Sequence, residues 1–68
     1  MTINPAAISA LADAWASIDG KIDHYRFSRD NPGHPEAIAG GYYQGYQIEA
    51  EEMIVRLRKR GFDVVARP

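Results

Sequence analysis

Two histidines, His24 and His34, are the only imidazole side chains in the sequence, and Asp23 and Asp30 lie close to them along the chain. Imidazole and carboxylate groups can together bind zinc, but a zinc site needs three or four converging ligands. A His-Glu-x-x-His motif, which would place two histidines on one helix face, is absent. Cysteine is absent too, which removes thiolate ligands and disulfides. The sequence therefore predicts neither a metal site nor a bound cofactor.

Carboxylates and serines are the other side chains with catalytic potential. Acid–base catalysis needs two carboxylates that converge on one substrate, whereas Glu49, Glu51 and Glu52 are crowded into one short stretch. Such charges are typical of solvated positions that flank a helical seam. The serines have no nucleophile elbow, and no phosphate-binding loop or dinucleotide fingerprint is present. We therefore predict that the protein is not an enzyme and has no catalytic residues.

A basic cluster near the end of the chain raises the question of anion or nucleic-acid binding; its residues are Arg56, Arg58, Lys59 and Arg60, joined by Arg67. Basic side chains in the last turn of a helix also compensate the helix dipole. The net charge is −1, from eight basic and nine acidic residues, whereas nucleic-acid binders normally carry a basic excess. Dipole compensation is thus the favoured interpretation. A nucleic-acid-associated accessory role, with these residues contacting an anion, is the alternative.

All these side chains must be positioned by helices, because apolar residues recur at steps of three and four on both sides of a turn at Asn31-Pro32-Gly33. The first ladder is Ile8, Leu11, Trp15, Ile18, Ile22, Tyr25, and the second is Ala39, Tyr43, Tyr46, Ala50, Met53, Leu57. Folding the chain back at the turn pairs the two ladders in one constant register, from Ile8 with Leu57 to Tyr25 with Ala39. This spacing resembles that of generic antiparallel coiled-coil hairpins.

The predicted fold is a single all-α domain over residues 1–68, an antiparallel two-helix hairpin. Helix 1 spans about residues 5–29, the turn 30–35, helix 2 about 36–60, and a short extended tail 61–68. Asn4 and Pro5 supply an N-cap and a first helical residue, and Gly61 suits the left-handed position after a helix. Gly20 is a weak point of helix 1. Whether Gly40-Gly41 breaks helix 2 stays open.

Two helices alone cannot enclose a core, because a lone hairpin has no third layer. We therefore expect a homodimer that forms a four-helix bundle. Alternatively, the apolar residues that lie outside the two ladders could cover the flanks of a monomer. Leu11, Trp15 and Met53 are expected inside the core. The predicted interface residues are Gly41, Tyr42, Gly45, Ile48, Ile54 and Val55.

The Gly/Tyr-rich stretch over residues 39–46 has two interpretations. Ala37, Gly41 and Gly45 recur every four residues and leave one helix face without bulk, which allows close approach of another backbone. In the predicted register Gly20 would face Gly45 at such a crossing. Alternatively, Tyr42 and its neighbours form a recognition surface, since tyrosine combines a large contact area with a polar tip.

The cellular location and the function of the protein are predicted both from features that the sequence lacks and from features that it contains. The N-terminus lacks the basic start and apolar run of a signal peptide, and no stretch reaches the ~20 apolar residues of a membrane span. A cytoplasmic protein is expected. The predicted function is a small non-enzymatic protein–protein interaction module, acting as an adaptor, inhibitor or antitoxin-like protein that binds itself and another protein.

Overall fold

The computed structural model of the protein describes residues 3–65. In this part the chain is all-α, as the sequence predicts, and has no strand. Its helices are α1 (Pro5–Ile18), α2 (Ile22–Asp30), α3 (Pro35–Gly40) and α4 (Tyr42–Lys59). Residues 66–68 of the expected tail, including Arg67 of the basic cluster, lie outside the described residues.

The first of the two expected long helices is interrupted at Gly20. Helix α1 starts as predicted, with Asn4 Oδ1 accepting a 2.9 Å hydrogen bond from the Ala6 N–H. It ends where Gly20 takes a left-handed φ of 71° and the Lys21 N–H donates to the Ala16 carbonyl at 2.7 Å. This bond closes a Schellman motif, which terminates a helix. The prediction of one helix over residues 5–29 is therefore wrong, and α2 begins separately at Ile22.

The second expected helix is also interrupted, which answers the question left open by the sequence. Gly41 adopts a left-handed φ of 60° and separates α3 from α4. Because Gly41 has no side chain with which to cap α4, the cap comes from another helix: Ser28 Oγ of α2 accepts a 3.2 Å hydrogen bond from the Tyr43 N–H. Ser28 is only 4% exposed. This bond ties α2 to the start of α4.

The C-terminal end of α4 confirms the role predicted for Gly61. Gly61 has a φ of 89°, and the Phe62 N–H donates to the Leu57 carbonyl at 3.0 Å. These are the features of a Schellman motif. Beyond it, Val64 and Val65 line a small depression with the first turn of α1, so the tail returns to the N-terminal end of that helix.

Helix α4 is the centre of the molecule and packs against both α1 and α2, while α2 also contacts α1 and α3. Small residues form the middle of the core, because Ala12, Ala16 and Ala50 are all fully buried. Small side chains let two helix backbones approach closely. Tyr25 completes this cluster, and larger side chains surround it; they are Ile8, Leu11, Ile22, Tyr43 and Tyr46.

The constant register of the predicted hairpin does not hold. Ile18 is 84% exposed because α1 ends there, and Ala39 is exposed because it belongs to the separate helix α3. Ser9, which that register places opposite Val55 or Arg56, instead accepts a 3.4 Å hydrogen bond from Gln47.

Two finer expectations about packing are also corrected. Leu11, Trp15 and Met53 are half-buried at the edge of the core rather than enclosed. The proposed close crossing of Gly20 and Gly45 is not formed, since neither glycine has a neighbour within 4 Å of where a Cβ would stand. The alanines of α1 and α4 make the close approach instead.

Candidate interaction surfaces

The side of α4 that faces away from the core carries the first candidate surface. The helical period places Tyr43, Ala50 and Ile54 toward the core and turns the opposite stripe to solvent. We call that stripe the outer face; its residues are Ile48, Glu51, Glu52, Val55, Arg56 and Lys59, and they line a shallow depression of about 460 Å³. Ile48 is 59% and Val55 is 40% exposed. The outer face thus has an apolar component that nothing in the described chain covers.

Charges on the outer face are separated by sign along the helix. Glu51 and Glu52 lie nearer its N-terminal end, and Arg56 and Lys59 lie nearer its C-terminal end. Arg56 and Glu52 form the i,i+4 ion pair that their spacing favours, at 3.5 Å. Between residues 3 and 65, neither Glu51 nor Lys59 forms an ion pair. The outer face therefore presents one unpaired charge of each sign.

The basic cluster is largely engaged within the chain. Besides the Arg56–Glu52 pair, Arg58 binds Asp63 at 3.2 Å, and this hydrogen bond lowers the pKa of the Asp63 carboxyl below its ordinary value. Arg60 donates to the backbone carbonyl of Arg56 at 3.0 Å, which satisfies the C-terminal end of α4 in the way expected for dipole compensation. Lys59 is the member of the predicted anion contact left free on the outer face.

A second candidate surface, the Gly/Tyr cleft, lies where α4 begins, beside the end of α1. Its cavity is about 250 Å³, and its lining residues are Asp19, Gly40, Gly41, Tyr42, Gly45, Tyr46 and Glu49. The Tyr42 ring stacks on His24 with centroids 4.9 Å apart. Its edge lies directly over Gly40, where a Cβ would stand only 3.0 Å from the ring. Tyr42 is therefore held in place from two sides.

The Gly/Tyr cleft is acidic. The Tyr46 hydroxyl donates to Asp19 Oδ2 at 2.9 Å, and burial together with this hydrogen bond raises the pKa of Tyr46. Glu49 follows Tyr46 by three residues on α4, so both lie on the same stripe of the helix. No basic side chain is among the lining residues. The cleft therefore combines two carboxylates with two tyrosine rings.

A polar network centred on Gln47 joins three of the helices. Gln47 Nε2 donates to the Tyr25 hydroxyl at 3.0 Å and to Ser9 Oγ at 3.4 Å, which links all three of α1, α2 and α4. Tyr25 is 1% exposed, and its burial raises the pKa of its phenol. Sequence reasoning did not identify Gln47, because a glutamine that follows a tyrosine-rich turn has no pattern that distinguishes it from a surface residue.

The structure divides the predicted interface into three groups. Ile48 and Val55 lie on the outer face, while Gly41, Tyr42 and Gly45 line the Gly/Tyr cleft. Ile54 is fully buried, so its assignment to an outer surface is wrong. Asp19 and Glu49 of the cleft were missed, although the step of four from Gly45 to Glu49 is a signal that the sequence contains.

The two histidines do not lie in a ligand cluster. His24 stacks on Tyr42, and His34 Nδ1 accepts a 3.1 Å hydrogen bond from the Glu36 N–H at the start of α3. Within the described residues, no three histidine, aspartate or glutamate side chains are placed to hold a metal ion. Nor does any helix of this part of the chain have the length and apolar character needed to cross a membrane.

Comparison of the chain with protein-family models, with curated proteins and with solved structures finds no match.

Proposed function

We propose that the protein is a small non-enzymatic protein–protein interaction module of the adaptor, inhibitor or antitoxin-like kind, and that it self-associates through the outer face of α4. The observation that carries this proposal is the exposure of Ile48 and Val55 on a stripe whose charges are separated by sign. Apolar side chains bordered by complementary charges are what a helix-to-helix contact requires.

A second copy of the chain is the partner that fits this pattern best. In an antiparallel two-fold pairing, the acidic part of one outer face meets the basic part of the other. With Val55 on the two-fold axis, Glu51 of each chain lies opposite Lys59 of its partner, because both are four residues from Val55. The unpaired charges of the outer face then neutralise each other. The two α4 helices then lie between the two α1 helices, which gives a layered arrangement in place of the four-helix bundle expected from the sequence and leaves the remaining surfaces free for another protein.

Light scattering through a dilution series tests the self-association. We expect twice the 7.6 kDa chain mass for the wild type. The Val55→Glu variant should be a monomer that keeps its helicity, since Val55 is not part of the core. Ile38→Glu is the matched control, because Ile38 is 67% exposed on α3, away from the outer face, and it should remain a dimer. A wild-type monomer at all concentrations contradicts the proposal.

Charge exchange tests the antiparallel pairing separately. Glu51→Lys or Lys59→Glu alone places like charges opposite each other at two symmetric positions, which should weaken dimerisation about tenfold. The double variant restores opposite charges and should recover the wild-type dimer. Two single variants with unchanged dimerisation would show that the copies associate in another geometry.

A further inference from the structure

We propose that α3 is a pH-dependent element, whose helical state is held by the neutral imidazole of His34 and released when that imidazole is protonated. This inference goes beyond the proposed interaction function, because α3 contributes no residue to the outer face. It rests on the small packing area of α3, on the acceptor that caps it, and on the groups around that acceptor.

Helix α3 is short enough for its caps to decide whether it forms. It has six residues, Pro35–Gly40, of which Ala37 is the buried one. It packs mainly against α2, and the Ile38 side chain is 67% exposed. Helices of this length are marginal in water without tertiary packing. Loss of the N-cap therefore changes the ratio of helical to non-helical α3 about fivefold.

The cap of α3 is an acceptor that acid removes. His34 Nδ1 accepts a 3.1 Å hydrogen bond from the Glu36 N–H. A neutral imidazole has one nitrogen that accepts, whereas both ring nitrogens of a protonated histidine are donors. Histidine changes charge between about pH 5 and 8. Protonation also places a positive charge at the N-terminus of the helix, where the macrodipole opposes it, so both effects act against α3.

No charged partner in the described chain holds the protonated form of His34. The Phe27 ring of α2, whose centroid lies 5.1 Å from that of the imidazole, is uncharged. Arg29 and Asp30, at the end of α2, pair with each other at 2.8 Å. Glu36 is the acidic residue in the first turn of α3, but between residues 3 and 65 His34 forms no ion pair. Carboxylates keep their charge over most of this pH range, so the imidazole is the group that changes.

The other end of α3 adjoins a contact that acid does not break. Tyr42, the first residue of α4, stacks on His24 of α2 with ring centroids 4.9 Å apart. Protonation of His24 places a cation over the Tyr42 ring, which is attractive. The pH response is therefore directional: the end of α3 next to α4 stays in place, while the N-terminal end is freed.

NMR of the ¹³C,¹⁵N-labelled full chain between about pH 8 and pH 5.5 tests the proposal. The Cα shifts of Ala37 and Ile38 should move toward non-helical values as the ratio of helical to non-helical α3 falls about fivefold, while those of α4 stay constant. The Glu36 N–H shift should have the same pH midpoint as the imidazole protons of His34. Constant Cα shifts in α3, or different midpoints for Glu36 and His34, overturn the proposal.

Substitutions assign the response to one imidazole. His34→Asn keeps an N-cap acceptor that does not titrate, so α3 should stay helical over the whole pH range. His24→Gln is the matched control, because it removes the other histidine and should leave the response of α3 unchanged. Glu36→Gln should also respond as the wild type does, since its N–H still reaches His34. A His34→Asn variant whose α3 loosens in acid, or a His24→Gln variant without the response, overturns the proposal.

Discussion

At the scale of single residues, buried polar groups are paired across helices rather than within them. In the described chain no buried side-chain nitrogen or oxygen lacks a hydrogen-bond partner. Ser28 and Gln47 provide this pairing, since Ser28 caps α4 and Gln47 reaches Tyr25 and Ser9. An unpaired buried donor or acceptor costs about 1–3 kcal/mol, so these bonds fix how the helices meet.

Loss of the Ser28 cap should destabilise the fold. Ser28→Ala leaves the Tyr43 N–H without its acceptor, and we expect the free energy of unfolding to fall by about 1 kcal/mol in a urea titration. Ser17→Ala is the control, because Ser17 is exposed on α1 and alanine favours a helix there. If both variants have the same stability, the hydroxyl of Ser28 does not cap α4.

Burial of Tyr25 predicts a loss of stability in alkaline solution. Because the pKa of Tyr25 is raised above its ordinary 10.0, folding favours the neutral phenol. The resulting stabilisation is complete below pH 10 and is lost as the pH rises through the folded-state pKa. Urea titrations between about pH 8 and pH 11 should show this decline. The Tyr25→Phe variant should be less stable than the wild type at pH 8, since Gln47 loses an acceptor, but its stability should fall less as the pH rises. An equal fall in stability would exclude Tyr25 as the source of the pH dependence.

At the scale of helices, glycines with similar sequence surroundings occupy different structural positions. Gly20 and Gly45 each stand within an apolar helical pattern; the sequence predicts a weak point of a helix at Gly20 and a helix face without bulk at Gly45. The structure places Gly20 at a left-handed helix end and Gly45 in a helix interior. What separates them is the backbone conformation, which is left-handed at Gly20 and helical at Gly45.

Alanine substitution at the two glycines should therefore have opposite effects. Gly20→Ala forces a Cβ into a left-handed conformation and should destabilise the protein by about 1 kcal/mol. Gly45→Ala meets no atom within 4 Å and should stabilise it by about 1 kcal/mol. Thermal denaturation of both variants measures the difference. If Gly20→Ala stabilises as much as Gly45→Ala, α1 and α2 form one continuous helix.

At the scale of the whole molecule, the core is small for a chain near the lower limit of independent folding. Its centre is made of alanines, and among residues 3–65 only Tyr25 and Ile54 are large side chains that are fully buried. Each large core residue therefore contributes an unusually large share of the stability. The exposed apolar side chains of the outer face are consistent with a protein that gains further stability by association.

Ile54 and Ile18 provide a test of where the core lies. Ile54→Ala should cost about 2–5 kcal/mol, as expected for truncation of a fully buried side chain. Ile18→Ala should change the free energy of unfolding by no more than about 0.5 kcal/mol, because Ile18 is 84% exposed. Chemical denaturation measures both. The predicted ladders contain Ile18 but not Ile54, so they predict the reverse order of the two losses in stability. A large loss of stability in Ile18→Ala would therefore support the predicted register.

The sequence by itself determined the features that depend on near neighbours: the all-α class, the Asn4 cap, the Gly61 helix end and the Glu52–Arg56 pair. Each is formed by groups within a few residues of one another, so spacing is sufficient to predict it. Only the tertiary structure decided that Gly20 and Gly41 break the long helices, that Ile54 is buried while Ile18 is exposed, and that Asp19 joins Glu49 in one cleft. These features depend on how α1 and α2 pack against α4. The hydrophobic period alone does not specify which face of a helix makes such a contact.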